Sequence, residues 1–434
     1  MLKNTKIRLF ALLSGIFLVA AGCGGGSSSG STGPVVLNVW GTFETEANMM
    51  PFIQAYQQQY PNVQINYTQK NVDTYESDLL NALASGTGPD IFAIHNDWLP
   101  KYEDKLVPST ARAYSLSDFK NTFVDTVYND FVDQGKIYAA PLSVDSLGLY
   151  YNKDILGSVG IAVPPTTWAQ LQSDVKKITR RTGFNVTRSG VAMGTSANIN
   201  RAVDIISLLM LQDHVVPYSQ DFSRATFDQA TLNSQNVPFY PAADALSFYT
   251  SFANPTSDVY TWSSNSNYSV DAFANGQLAF MYGYSYMRDT INQKSPNLNY
   301  DVAPVPQPDA NGNLVNFANY WGFGVSKQSK NPNYAWSFIS FMTQKQNLEN
   351  YYKLHDLPSS RRDIIAEQIS DPNIGVFASA NLTAKSLYKK DQNKFDSIFL
   401  NMIDDVNLRG KSVTDAISNA TQQINLLAQQ QFTQ

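Results

Sequence analysis

Five consecutive segments of the chain alternate between two kinds of pattern: VVLNVW at 35–40, ANMMPFIQAYQQQY at 47–60, VQINY at 63–67, YESDLLNAL at 75–83 and DIFAI at 90–94. The first, third and fifth are short β-branched or alternating runs that are typical of strands, whereas the second and fourth carry apolar residues at helical spacing. Strand, helix, strand, helix and strand joined by short links predict an α/β fold with a mostly parallel sheet covered by helices.

Composition limits the function before any motif is considered. The chain has 434 residues, a formal charge of −5 and 43% hydrophobic residues, so we expect two or more packed units. The acidic balance argues against a nucleic-acid partner, because contacts to a phosphate backbone need clustered Lys and Arg. One cysteine and three scattered histidines give neither a disulfide framework nor metal-ligand spacing. We therefore expect no metal and no cofactor.

The first 34 residues predict a secretory signal followed by a tether. Residues 1–22 have a basic start and a mostly apolar run of 13 residues, Leu9–Ala21, which fits a secretory signal and is too short to span a bilayer. The small residues before Cys23 resemble a bacterial lipoprotein box, which implies a lipidated Cys23 on the outer face of the cell membrane. The Gly/Ser-rich segment 23–34 would be a flexible tether. The alternative is an ordinary cleaved signal followed by an unmodified cysteine.

Several polar and aromatic side chains follow the predicted strands. Ligands of open α/β sheets bind beyond the carboxyl ends of the strands. That rule selects the following residues: Trp40, Glu44, Glu46, Asn96, Asp97, Trp98, Tyr284, Tyr286, Tyr320 and Trp321. Aromatic faces beside amides and carboxylates suit a polyhydroxylated ligand, because rings stack on its C–H faces and planar polar groups bind its hydroxyls.

A series of motifs in order resembles the family 1 extracellular solute-binding proteins, the maltose-binding-protein-like sugar receptors of ABC importers. The motifs are SGTGPD at 85–90, GKIY at 135–138, LYYNKD at 149–154, PPTTW at 164–168, FANGQLAF at 273–280 and WG at 321–322. The resemblance covers nearly the whole chain from Val35 onward. It implies a two-lobed type II periplasmic-binding-protein fold, with hinge crossings between the lobes and a ligand cleft between them.

Motif positions suggest the lobe boundaries. The first lobe would comprise 35–144 plus 282–328, and the second would comprise 145–281 plus 329–434, with crossings near Asp145 and at Met281–Tyr282. Closure about these crossings on binding a ligand is the motion that the resemblance implies.

The resemblance also nominates ligand contacts. Carried over by position, these are Trp40, Thr42, Glu44, Asn96, Asp97, Asp145 and Tyr284, with Trp262, Trp321 and Arg361 as looser placements in variable loops. Trp98 takes a slot that is basic in maltose-binding proteins. Each has a structural alternative, such as a core ring at Trp40, a domain cap at Trp98 or a surface cation at Arg361. Trp262 lies in a polar loop, where we expect an exposed ring that serves as a platform.

Two functions from different classes fit these features. The first is a non-enzymatic, monomeric carbohydrate receptor that is tethered to the membrane and delivers a sugar to ABC transporter permease subunits. The second is a secreted glycoside hydrolase, which requires two carboxyl groups about 5–9 Å apart. A scaffold or adhesion lipoprotein would not need the crossing motifs. We find no phosphate-loop, dinucleotide, zinc-protease or serine-triad pattern in the sequence.

Overall fold

A computed structural model describes residues 33–232 and 235–429. The predicted signal peptide, Cys23 and most of the tether lie outside these residues. The strands are β1 Val35–Gly41, β2 Val63–Gln69, β3 Ile91–His95, β4 Leu106–Val107, β5 Val132–Asp133, β6 Lys136–Ile137, β7 Ala139–Ala140, β8 Asp145–Ser146, β9 Gly148–Asn152, β10 Arg180–Thr182, β11 Asn185–Val191, β12 Thr231–Leu232, β13 Pro238–Phe239, β14 Leu278–Gly283, β15 Tyr300–Pro304, β16 Asn316–Asn319, β17 Trp321–Ser326 and β18 Ala384–Lys385.

The helices lie between and after these strands, in several places two or more in succession. They are α1 Glu46–Gln59, α2 Tyr75–Ala84, α3 Leu99–Tyr102, α4 Leu116–Thr122, α5 Asp125–Phe131, α6 Lys153–Ser158, α7 Trp168–Ile178, α8 Ala202–Gln212, α9 Pro241–Ser251, α10 Ser269–Ala274, α11 Met287–Lys294, α12 Pro332–Met342, α13 Lys345–Tyr352, α14 Arg362–Gln368, α15 Gly375–Asn381, α16 Gln392–Asn407 and α17 Val413–Gln429. None of the helices in the described part of the chain is long and apolar enough to cross a membrane.

Two sheets, each with its own hydrophobic core, form two lobes. In the first lobe the strand order is β2-β1-β3-β17-β4, with β7 also pairing with β17. In the second lobe the order is β10-β11-β14-β9-β15. The predicted strand–helix alternation over 35–94 is confirmed, since β1, β2 and β3 are parallel and α1 and α2 connect them.

A third, small sheet joins the lobes. It has the order β18-β16-β8, and each of its strands lies where the chain passes between the two cores. In β16, for example, Phe317 belongs to the second core and Ala318 to the first. This hinge sheet holds three crossings side by side, so the lobes share only a few short strands.

The predicted division of the chain into lobes is wrong in two places. Strand β15 pairs with β9 in the second sheet, so the first lobe does not take up the chain again at 282. Helices α12, α13 and α14 pack into the first core, so the first lobe does not end at 328. Met281–Tyr282 lies inside β14 within the second core, and the second crossing is β16 instead.

Candidate ligand-binding cleft

The first-lobe edge of the cleft lies where β1 and β3 end and β17 begins. Antiparallel pairing sets Trp321, the first residue of β17, beside His95, the last residue of β3. The loop after β1 is held from β2, because the Tyr67 hydroxyl donates to the Glu44 carbonyl (2.6 Å) and the Gln69 amide donates to the Thr42 carbonyl (3.0 Å). Thr42 and Glu44 are thus fixed at this edge.

Aromatic rings fill this edge and form what we term the aromatic cluster: Phe43, Tyr75, Trp98, Tyr102 and Trp321. The Trp98 ring stacks on Tyr102 at 5.1 Å and meets Trp321 edge-on at 5.1 Å. The Phe43 ring meets Trp321 at 5.8 Å and is 61% exposed. Trp321 is half-buried. The cluster therefore runs from a buried base at Trp98 and Tyr102 to an accessible face at Trp321 and Phe43.

The loop Asn96–Trp98, which follows β3, carries the most unusual polar groups of the cleft. His95 Nδ1 lies 2.6 Å from Asp97 Oδ1, and His95 Nε2 lies 3.2 Å from Asn319 Oδ1 in the hinge sheet. The other carboxylate oxygen, Asp97 Oδ2, and the indole nitrogen Trp98 Nε1 are buried without a hydrogen-bond partner among the described residues. An unpaired buried polar atom costs about 1–3 kcal/mol, so this loop carries the cost of one unpaired acceptor and one unpaired donor.

Two of the predicted contacts on this lobe have structural partners. Asn96 is bound to Tyr320, because its N–H donates to the Tyr320 carbonyl (3.0 Å) and its Oδ1 accepts from the Tyr320 N–H (3.4 Å). The ring of Trp40 is covered by the Lys70 ammonium, 4.0 Å from the ring centroid. Asn96 thus fixes the position of the loop, and Trp40 stands apart from the aromatic cluster.

Two half-buried carboxylates hold the hinge. Asp145 accepts from the Ser285 N–H (2.9 Å), the Ser285 hydroxyl (2.7 Å) and the Ser146 N–H (2.9 Å). Burial raises its pKa to about 7, against these hydrogen bonds, which lower it. Asp145 is therefore occupied with hydrogen bonds of the hinge.

The second hinge carboxylate is Asp130 in α5. It accepts from the Tyr320 hydroxyl (2.6 Å) and from the hydroxyl of Ser386, which follows β18. Burial raises the pKa of Asp130 to about 6, and the hydroxyl donors lower it. Tyr320 is thus a hinge residue whose hydroxyl is already paired.

The second-lobe edge of the cleft is polar. The Tyr284 hydroxyl donates to Asp204 Oδ2 (2.9 Å), and the Arg201 guanidinium lies 5.1 Å from the Tyr284 ring centroid. Arg201 also donates to the hydroxyl of Tyr286 (2.7 Å), and the Tyr286 ring is exposed. Behind them Lys389 Nζ lies 2.7 Å from Asp396 Oδ1 and 3.9 Å from Asp204 Oδ1. We term Arg201, Asp204, Lys389 and Asp396 the charged cluster.

The sequence did not point to the charged cluster. Three of its members lie on helices or at their ends, where the strand-end rule does not apply, and Lys389 follows a crossing that was not predicted. Tyr284 and Tyr286 were found by that rule, because they follow β14.

Two predicted site residues lie away from the cleft. The Trp262 ring is 1% exposed in the second core, and its indole N–H donates to Asn198 Oδ1 (3.2 Å), so the prediction of an exposed platform is wrong. The polar loop folds over it, since Asn198 Nδ2 also donates to the carbonyls of Ser263 and Ser266. Arg361, in the first lobe, donates to the Asp363 carboxylate (2.8 Å) and the Thr343 carbonyl (2.9 Å). It anchors the start of α14 rather than reaching a ligand.

A cavity of about 1210 Å³ lies between the lobes. Lys101 and Tyr102 line it from the first lobe, and Tyr218, Phe222 and Tyr388 line it from the second. Its size exceeds the range of about 300–1,000 Å³ that is typical of small-molecule pockets. Among the described residues, no group of three or more His, Cys, Asp or Glu side chains could hold a metal ion.

Comparisons with known proteins agree with this architecture. Solved structures of the sugar-binding protein MalE from Xanthomonas citri and of the cyclic alpha-maltosyl-1,6-maltose binding protein from Arthrobacter globiformis match with TM-scores of 0.75 and 0.76. They cover 91% and 92% of this chain and 97% and 100% of their own, at 20% and 18% identity. These likenesses confirm the predicted two-lobed periplasmic-binding-protein fold.

The relatives found by sequence are also binding proteins. The chain is 22% identical over 375 residues to the melibiose/raffinose/stachyose-binding protein MelE of Bacillus subtilis, covering 84% of this chain and 83% of that protein. It is 24% identical over 348 residues to a putative binding protein of Brucella abortus, covering 77% and 76%. The family description "Bacterial extracellular solute-binding protein" matches residues 52–375. The chain therefore belongs to the bacterial extracellular solute-binding protein family, whose members work outside the cytoplasm.

Proposed function

We propose that this protein is a carbohydrate-binding receptor that delivers a sugar to the permease subunits of an ABC importer. The observation that carries the proposal is the loop Asn96–Trp98. There a buried carboxylate oxygen and a buried indole N–H have no hydrogen-bond partner in residues 33–232 and 235–429, and they lie beside an accessible aromatic face. A sugar hydroxyl can donate to Asp97 Oδ2, and another can accept from Trp98 Nε1.

The rings favour a sugar over other hydroxylated ligands. The half-buried Trp321 ring and the exposed Phe43 ring present flat apolar surface next to the polar loop. A sugar ring has a C–H face and a hydroxyl rim, so it gains from both kinds of surface at once. Relatives and structural neighbours with this architecture are named for sugars, among them melibiose, raffinose and stachyose.

The second lobe completes the cleft. Tyr286 is exposed there and is held by Arg201. Two lobes joined by the short strands of the hinge sheet are expected to move relative to each other. A ligand drives closure only if it binds the closed state better, by contacting both lobes. We infer that the sugar lies between the aromatic cluster and Tyr286, and that the permease recognises the closed shape.

The glycoside hydrolase is the competing function. The named relatives are binding proteins, which favours binding without turnover. Incubation with the sugar followed by chromatography separates the two functions, because a hydrolase releases smaller sugars and a receptor returns the sugar unchanged.

Tethering to the membrane is a separate part of the proposal. We infer that Cys23 carries the lipid and that the protein acts as a monomer at the outer face of the cell membrane. The Cys23→Ser chain should appear in the soluble fraction with unchanged sugar affinity, since residue 23 precedes both lobes. Equal membrane retention of this variant and the wild type would refute the anchor.

A thermal-shift screen tests the sugar. The panel is melibiose, raffinose, stachyose, maltotetraose, mannotriose and tagatose. A sugar that binds only the folded state raises the melting temperature by an amount that grows with the logarithm of its concentration above the dissociation constant. The matched variants are Trp321→Ala in the cleft and Phe184→Ala, which removes an exposed ring of the second lobe outside the cleft. We expect a shift that Trp321→Ala reduces and Phe184→Ala retains. A shift that survives Trp321→Ala unchanged would place the sugar elsewhere.

A further inference from the structure

The charged cluster contains one lysine that sits among carboxylates. Lys389 is 4% exposed, and its ammonium pairs with Asp396 at 2.7 Å and with Asp204 at 3.9 Å. Asp204 has two further partners in its own lobe, the Tyr284 hydroxyl at 2.9 Å and the Arg201 guanidinium at 3.7 Å. Asp204 is therefore already neutralised without Lys389.

A third carboxylate, that of Asp97 on the first lobe, contributes to the electrostatics of this cluster. The pKa of Lys389 is raised above its ordinary value. Burial alone would lower it, but three nearby carboxylates outweigh the effect of burial. These belong to Asp396, Asp204 and Asp97, and Asp97 is the one that lies on the first lobe. The Asp97 charge likewise contributes to the raised pKa values of Asp396 and Tyr388. Asp97 thus acts on the second lobe across the interlobe boundary.

The carboxylate of Asp97 has few hydrogen-bond partners to offset its burial. It is 4% exposed, and within the described part of the chain only one of its two oxygens has a hydrogen-bond partner, His95. Bringing this carboxylate towards Asp204 and Asp396 would gather three negative charges in a region of low dielectric, where repulsion is far stronger than in water. Arg201 and Lys389 together balance Asp204 and Asp396, so loss of Lys389 would leave a net negative surface opposite Asp97.

We propose that Lys389 is a positioning residue for closure: its ammonium neutralises the second-lobe surface onto which Asp97 closes. Lys389 acts through Asp97 and the hinge rather than by touching the sugar. The inference rests on the two-lobe closure of the proposed function but does not depend on which ligand the protein binds.

Small-angle scattering of the sugar-free chain tests this role. The background is the Cys23→Ser chain, whose substitution lies outside both lobes. Lys389→Met should increase the radius of gyration, because Asp97 is then repelled. Adding Asp97→Asn should return the radius to the background value, and Lys389→Arg should keep it there. The control Lys176→Met, which removes an exposed cation of the second lobe paired with Asp258, should change nothing.

The rescue by Asp97→Asn separates closure from a local structural role. If Lys389 only stabilised its own lobe, Asp97→Asn would not reverse the expansion. An unchanged radius for Lys389→Met, or an expansion that persists with Asp97→Asn, would overturn the proposal.

Melting temperatures give a second readout in case Lys389→Met is too unstable for scattering. The proposal expects Asp97→Asn to raise the melting temperature of the Lys389→Met chain by more than it changes that of the background. Additive effects would overturn it. Because neither measurement uses a sugar, failure here leaves the proposed function intact, and failure of the sugar screen leaves this test valid.

Discussion

Two tryptophan loops, one in each lobe, look alike in sequence and differ in the structure. Trp98 follows Asn96 and Asp97, and Trp262 precedes a run of Ser and Asn residues. Both rings are almost fully buried, yet the Trp262 N–H donates to Asn198, whereas the Trp98 N–H and the Asp97 Oδ2 have no partner among the residues that the structure describes. Unsatisfied polar atoms, rather than polar composition, therefore distinguish the loop that we propose for the ligand from the loop that belongs to the core.

The largest expected effect is on stability and concerns the Trp262 loop, whose indole N–H is hydrogen-bonded to Asn198. Trp262→Ala should lower the free energy of unfolding by about 3–5 kcal/mol, because it leaves a cavity in the second core. Denaturant unfolding measures this, with Phe184→Ala as the control for loss of a surface ring. If the variant kept wild-type stability and lost sugar affinity, Trp262 would be the platform after all.

The next effect concerns the accessible face of the aromatic cluster. Trp321→Ala should weaken sugar binding by about 1–3 kcal/mol, which is roughly ten- to a hundredfold in dissociation constant, because a ring stacked on the sugar is lost. Titration calorimetry measures the affinity, and circular dichroism checks the fold. Equal affinities for the variant and the wild type would remove the cluster from the site.

A third prediction concerns the hinge carboxylate Asp145 and the pH dependence of stability. Burial raises the pKa of Asp145 to about 7, while an unfolded Asp titrates near 3.9. Between these values the folded state binds a proton that the unfolded state has lost, so this group's contribution to stability falls as the pH rises from about 4 to about 7.

Asp145→Asn removes that titration. The free energy of unfolding of the wild type minus that of the variant should decrease by about 1 kcal/mol per pH unit over this window. Urea unfolding at several pH values measures it. A difference that is independent of pH would contradict the raised pKa of Asp145.

The smallest expected effect is on sugar affinity and concerns the single hydrogen bond that the Trp98 N–H would donate to the ligand. Trp98→Phe keeps an aromatic ring and removes the indole N–H, so sugar affinity should fall by about 0.5–1.5 kcal/mol, the net value of one hydrogen bond. Trp262→Phe is the matched change in the other loop and should leave the affinity unchanged. A larger loss for Trp262→Phe than for Trp98→Phe would reverse the comparison.

The sequence predicted local structure well and lobe membership poorly. Strands β1 to β3 were predicted to within two residues at their ends, because their alternation reflects the face that each residue buries. The lobe of β15 was missed, since strand patterning does not say which sheet a strand joins. Helices α12 to α14 were likewise assigned to the wrong lobe, because an amphipathic face fits either core.

The candidate site residues that lie together in the structure are those placed by strand ends. Asp97, Trp98 and Trp321 follow or begin strands that meet at one sheet edge, and the structure brings them together. Trp262 and Arg361 lie in loops whose course depends on long-range contacts, and these cannot be read from neighbouring residues. The partners of Lys389 come from α8 and α16, which are far apart in the sequence.

Indole N–H resonances offer the most direct test of where the sugar binds. The chain has six tryptophans, and Trp98→Phe and Trp262→Phe assign the two signals by their loss from a ¹⁵N–¹H spectrum. On titration with whichever sugar gives the largest thermal shift, we expect the Trp98 signal to move as its N–H gains an acceptor, while the Trp262 signal stays in place. A Trp98 signal that remains unmoved at saturating sugar, or a Trp262 signal that moves instead, would contradict it.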